Sequence, residues 1–94
     1  MSEVERRVVL TNRMGLHARP STAIATAASR FQSDVSITKD DMTVDAKSVL
    51  ELLMLAAECG SELIVRADGG DADKAVQAVV GLVESKFGEL DVDS

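Results

Sequence analysis

Residues 35–45 read Val35-Ser36-Ile37-Thr38-Lys39-Asp40-Asp41-Met42-Thr43-Val44-Asp45. Period-two alternation puts Val35 and Ile37 on one face of a strand, with Ser36 and Thr38 on the other; Met42 and Val44 repeat the pattern after the turn residues Lys39, Asp40 and Asp41. This is a β-hairpin with one apolar face, and such a face must be covered by another layer. The flanking segments supply helices. Upstream, Ile24, Ala25, Ala28 and Phe31 recur at helical spacing within Ala18 to Phe31, an alanine-rich helix whose short side chains suit close packing near a sheet. Downstream, Ser48 to about Glu58 is helical in composition, and Gly60 is a natural stop. Further out, Val4, Val8 and Leu10 share one face of a strand that ends at Thr11-Asn12-Arg13, and Leu63, Val65 and Ala67 mark a last strand. Gly69, Gly70 and Asp71 then turn the chain into a final helix bearing Ala75, Val76, Val79, Leu82, Val83 and Phe87. Asp71 and Asp73 lie at its positive start, with Lys86 and Gly88 at its end. The order β-α-β-β-α-β-α is α+β, a split βαβ plan with a mainly antiparallel sheet and helices on one face.

A chain of 94 residues is expected to form one domain over 1–94, and its 46% apolar content, with only Phe31 and Phe87 aromatic, calls for an aliphatic core. A net charge of −6 and the scarcity of aromatics disfavour nucleic-acid binding. Acidic residues gather toward the C-terminal part, whereas Arg6, Arg7, Arg13, Arg19 and Arg30 fall in the first third, which predicts a mildly basic region around the single histidine. The lone Cys59 has no bridging partner and no metal-ligand spacing around it; it reads as a packed residue near a helix end, without a redox role. Glu3, Glu5, Arg6 and Arg7 stand where a signal peptide needs an apolar run, and no segment reaches membrane-spanning length, so a cytoplasmic protein without membrane insertion is expected.

Gly15-Leu16-His17-Ala18-Arg19-Pro20-Ser21 holds the only histidine and the only proline. With His17 at or just before the helix N-cap, Pro20 falls in the first turn, where a missing N–H costs little. The free N–H groups of that turn and the positive helix end suit an anion, and Arg19 adds guanidinium donors matched to phosphate. A neutral ring nitrogen there is a nucleophile, so His17 reads as a phosphoryl acceptor. No second histidine, nearby cysteine or paired carboxylate accompanies it for metal binding or acid–base hydrolysis, so neither metal nor cofactor is expected. The alternative is a capping or surface histidine.

"GLHARPS" at 15–21, together with "AKSVLELLMLAAECGSELIV" at 46–65, resembles the histidine-containing phosphocarrier (HPr) family of the bacterial phosphoenolpyruvate-dependent phosphotransferase system, over nearly the whole chain. The resemblance implies an open-faced sandwich, a four-stranded sheet with three helices on one side. It implies a non-enzymatic carrier in which His17 receives a phosphoryl group on Nδ1 from enzyme I and passes it to enzyme IIA proteins, with Arg19 assisting. Met14 stands where sugar-transport members often carry Asn or Ser, and "TNRMGLHARP" is closer to nitrogen-branch relatives. The family's Gram-positive-type members are phosphorylated by an HPr kinase/phosphorylase at the serine matching Ser48, which makes Ser48 a candidate regulatory site. Glu51 occupies a place where glycine is common in those relatives.

Ser48-Val49-Leu50-Glu51 also fits a capping box, with Ser48 capping its helix and Glu51 reaching back to the cap N–H. Val49 to Ala57 is apolar around roughly 260° of helix surface, wider than a one-sided helix needs. The arc of Val49, Leu50 and Leu53 matches the family's docking surface and is expected beside His17; a homodimer seam or cover by the C-terminal segment are the alternatives. Met42 and Met54 read as core and Lys47 as surface. The leading functional reading is a monomeric phosphocarrier. The others are a regulatory binding module controlled at Ser48 or His17, and a plain interaction domain in which His17→Ala is silent.

Overall fold

The computed structural model describes residues 3–88. Strand β1 (Glu3–Val9) leads through a loop to helix α1 (Ala18–Ser29); β2 (Asp34–Lys39) and β3 (Met42–Asp45) form the hairpin; α2 (Val49–Leu55), β4 (Glu62–Asp68) and α3 (Ala72–Glu84) follow, and a short 3-10 turn covers Lys86–Gly88. The sheet order is β1-β4-β2-β3 with every neighbouring pair antiparallel. β4 therefore inserts between β1 and β2, which run parallel to one another. This is the α+β, open-faced arrangement expected from the element order.

Register follows the alternation: Val65 lies opposite Ile37, Ala67 opposite Val35, and Val44 opposite Ile37 on the other side, so the apolar members of each strand meet on the helix-covered face. The opposite face carries charged pairs, including Arg66 to Glu5 at 2.7 Å and Arg7 to Glu62 at 3.7 Å. On the covered face, α3 lies over β1 and β4 and buries Ala75, Val76, Val79, Val80 and Val83. Helix α1 packs mainly against α3 and α2 rather than on the sheet, and its buried Ala25 and Ala28 allow that close approach.

Several local expectations are corrected. Helix α2 stops at Leu55, three residues short of Glu58, because Ala56 adopts the left-handed conformation (φ 53°, ψ 38°) and turns the chain out of the helix. Met42 and Met54 are exposed, as is Cys59, and Lys47 is half-buried with its ammonium donating to the Phe31 carbonyl at 2.9 Å. Phe87 belongs to the 3-10 turn, at φ 58°, and not to α3.

Asp71 sits at the N-cap of α3 but its carboxylate does not cap that helix. It accepts the backbone N–H groups of Gln32 (3.0 Å) and Ser33 (2.9 Å) and the Ser33 hydroxyl, tying the α1–β2 loop to the start of α3. Gly69 completes this seam: at φ 152°, a Cβ there would collide with Ser33. The Ser33 hydroxyl, then the Gln32 amide, hold the Asp71 carboxyl down at about 2 from an ordinary 3.8. A depressed carboxylate stabilises the fold fully above its unfolded value and loses that contribution as pH falls through the folded one. Wild type is thus expected to melt above Asp71→Ala at neutral pH, with the gap closing between about pH 4 and pH 2. A gap that stays constant over that window in parallel thermal melts would contradict this role.

Candidate functional site

The site forms where the β1–α1 loop meets the end of α2. Nearly every backbone polar group of Gly15, Leu16 and His17 is engaged. Gly15 N–H donates to the Asn12 carbonyl (3.2 Å) and Leu16 N–H to the Ala57 carbonyl (2.9 Å); the Gly15 carbonyl accepts from the Asn12 side-chain amide (2.8 Å) and from His17 N–H (3.0 Å). The Leu16 carbonyl accepts the buried Ser21 hydroxyl at 3.5 Å, and the His17 carbonyl accepts Ser21 N–H at 3.0 Å as the first helical bond of α1. Leu16 itself is buried in the core, anchoring the loop beside His17.

Gly15 is required by two independent constraints. Its φ of +69° is left-handed, and an added Cβ would lie 2.4 Å from the Ala57 carbonyl oxygen and 2.9 Å from the Glu58 Cα. Both neighbours are backbone, so neither can swing aside.

His17 is the N-cap residue of α1, at φ −87° and ψ −165°, and its side chain does not cap the helix. This removes the capping-histidine alternative. The residue is half-buried, with Nε2 out of solvent. Ala18 and Arg19 supply first-turn N–H groups without intrahelical partners, and the buried Pro20 follows as the third helical residue. Arg19 is exposed and pairs with no carboxylate among the described residues.

The expected basic surroundings are narrower than the residue count implied. Arg7 lies on the open sheet face paired with Glu62, and Arg30 is at the C-cap of α1, thirteen residues and about 20 Å of helix away from His17. Arg13 and Arg19 are the two arginines carried by the loop and the first turn.

On α2, Ser48 is the N-cap and its hydroxyl accepts Glu51 N–H at 3.2 Å, one half of the capping box. The other half is absent: the Glu51 carboxylate accepts Asp45 N–H at 2.9 Å instead, fastening α2 to the end of β3. Leu52 and Leu55 face the core. Val49 is half-buried against it, whereas Leu50 and Leu53 are exposed, so the expected arc is only partly free. Met54 and the loop residue Met14 are also exposed, at 60% and 58%. Leu50, Leu53 and Met54 are spaced i, i+3, i+4 and share one helix face. Met54 belongs to the apolar helix that the sequence predicts but lies on its exposed face and not in the core.

The chain matches the family described as PTS HPr component phosphorylation site over residues 4–85. It is 40% identical over 89 residues to phosphocarrier protein NPr of Shewanella violacea, covering 95% of this chain and 98% of that protein. It is 42% identical over 86 residues to phosphocarrier protein HPr of Treponema pallidum, covering 92% and 98%. Among solved structures, an HPr from Thermoanaerobacter tengcongensis superposes with a TM-score of 0.87 at 39% identity, over 96% of this chain and 99% of that one. The chain belongs to the HPr family of the phosphotransferase system, which are phosphocarrier proteins and not enzymes.

Gly15→Ala is expected to cost roughly 2 kcal/mol or more, because it combines a left-handed backbone penalty with a backbone collision. Urea denaturation would measure it; a loss below about 0.5 kcal/mol would mean that the contact with Ala57 is slack.

Proposed function

We propose that this protein carries a phosphoryl group on His17 Nδ1, accepting it from enzyme I charged by phosphoenolpyruvate and delivering it to enzyme IIA proteins in the cytoplasm. The observation that carries the reading is the placement of a half-exposed His17 at the N-cap of α1, with one ring nitrogen turned inward and unpaired first-turn amides beside it. The Nδ1 lone pair bonds to phosphorus as the bond to the donor breaks. The dianion then lies against the N–H groups of Ala18 and Arg19 and the Arg19 guanidinium, which offset its charge. In the return step the same bond breaks toward the next acceptor. No proton has to leave Nδ1 when the neutral ring attacks, so no general base is needed.

Transfer between proteins requires docking, and Leu50, Leu53 and Met54 form the apolar face that we assign to it, with Val49 supporting the face from below. Helix α2 is held to the His17 loop by the Leu16 to Ala57 hydrogen bond, so docking there and chemistry at His17 share one frame. A regulatory role for Ser48, acting through an HPr kinase/phosphorylase, competes with the capping bond its hydroxyl already makes and with the nearby Glu51 charge.

Incubation with enzyme I, Mg²⁺ and labelled phosphoenolpyruvate is expected to give an acid-labile, base-stable label on wild type and none on His17→Ala. Arg19→Ala should accept label about ten- to a hundredfold more slowly, since one set of charged donors is lost. Leu53→Glu should fold normally and be labelled poorly. If Leu53→Glu is both folded and fully active, the docking assignment fails; if wild type stays unlabelled by an enzyme I that phosphorylates itself, the carrier reading fails.

A further inference from the structure

We infer that Asn12 is a positioning residue for His17, its side-chain amide holding the loop carbonyl from which the His17 backbone is suspended. The inference rests on the carrier reading above and adds a residue that makes no contact with the phosphoryl group. Asn12 is completely buried in a core made otherwise almost wholly of aliphatic side chains. Its Nδ2 donates to the Gly15 carbonyl at 2.8 Å, and that same oxygen accepts His17 N–H at 3.0 Å; Gly15 N–H in turn donates to the Asn12 carbonyl at 3.2 Å. Asn12 thus closes a small ring of hydrogen bonds around Gly15.

The need for such a ring follows from Gly15 itself. No residue with a Cβ fits against the Ala57 carbonyl, so a glycine must stand two residues before His17, and glycine leaves its own dihedral angles free. A glycine hinge beside a nucleophile would let the ring sample many orientations, and small misplacements of a reacting group cost large factors in rate. The Asn12 amide removes that freedom by fixing the Gly15 peptide plane, and so the direction from which His17 enters α1.

The other half of the same amide supports this reading. Asn12 Oδ1 is buried without a hydrogen-bond partner among the described residues. A half-satisfied amide in an aliphatic core is worse for stability than an apolar side chain of similar size, so the group is not explained by packing alone. Its donor, aimed at the Gly15 carbonyl, is what distinguishes it from a leucine.

Phosphoramidate is a suitable probe because it phosphorylates imidazole directly. Its P–N bond breaks, a P–N bond to His17 forms and ammonia leaves, so no protein donor or docking face is involved. Asn12→Ala is expected to label at His17 about tenfold more slowly than wild type at a temperature where circular dichroism shows both folded. The imidazole carbon and proton NMR signals of His17 should also shift or broaden. Val79→Ala, a core truncation on α3 away from the loop, should be destabilised yet label at the wild-type rate with unchanged His17 signals. If Asn12→Ala does not fold, Asn12→Ser, too short to reach the Gly15 carbonyl, takes its place. A wild-type labelling rate in the Asn12 variant overturns the inference, as do unchanged His17 ring signals. Failure of wild type itself to label would count against the carrier proposal alone, and the ring signals would then decide the role of Asn12.

Discussion

The hydrogen bond from Leu16 N–H to the Ala57 carbonyl, with Gly15 pressed against the same peptide, is the constraint on which the rest of the site depends. It joins two segments forty-one residues apart in the chain, and it dictates a residue type on each side. Gly15 must lack a Cβ. Helix α2 must end by Leu55 so that the Ala57 carbonyl points outward to the loop, and Ala56 takes a left-handed conformation that a non-glycine residue adopts only at some cost. Strain of this kind persists only where surrounding contacts over-determine it, and here the Leu16 bond and the buried side chains of Leu16, Leu55 and Ala57 do so.

From that seam the functional geometry follows in order. The fixed loop delivers His17 to the N-cap of α1, the N-cap exposes the first-turn amides of Ala18 and Arg19, and these face the only histidine in an otherwise acidic protein. A net charge of −6 would repel a dianion at most places on the surface. The helix end and the arginines of the loop and first turn supply a local exception, which is the basis of the anion site proposed there. The same seam ties the end of α2, whose exposed face carries Leu50, Leu53 and Met54, to the loop that bears the histidine, which is the relation the proposed docking requires.

Much of this was legible in the sequence because it rests on local rules. The hairpin alternation, the buried stripes of α1 and α3 and the histidine at a helix start with proline in its first turn are set by spacing and intrinsic geometry. What was not legible depends on contacts between distant segments. The apolar run beyond Leu55 reads as continuing helix, since nothing in "AAEC" shows that the Ala57 carbonyl is claimed by Leu16. Asp71 reads as a negative charge at the positive start of a helix, whereas the loop at Gln32 and Ser33 offers it three donors across the fold. Glu51 finds Asp45 N–H for the same reason. Met42, Met54 and Cys59 read as inward-facing from their chemistry, but only the sheet edge, the helix face and the turn on which they lie decide exposure. Asn12 left a faint signal, an Asx residue three positions before a glycine, which alone denotes no more than a turn.

The carrier proposal requires that the His17 loop be held rigid before any phosphoryl group arrives. Native-state hydrogen exchange of the Leu16 amide measures this rigidity, since that proton is the one donated to the Ala57 carbonyl. Exchange as slow as that of the central strand amides, such as Val65, is the result expected. Exchange at the rate of an open loop, with the strands still protected, would leave His17 on a mobile tether and rule out a preformed site.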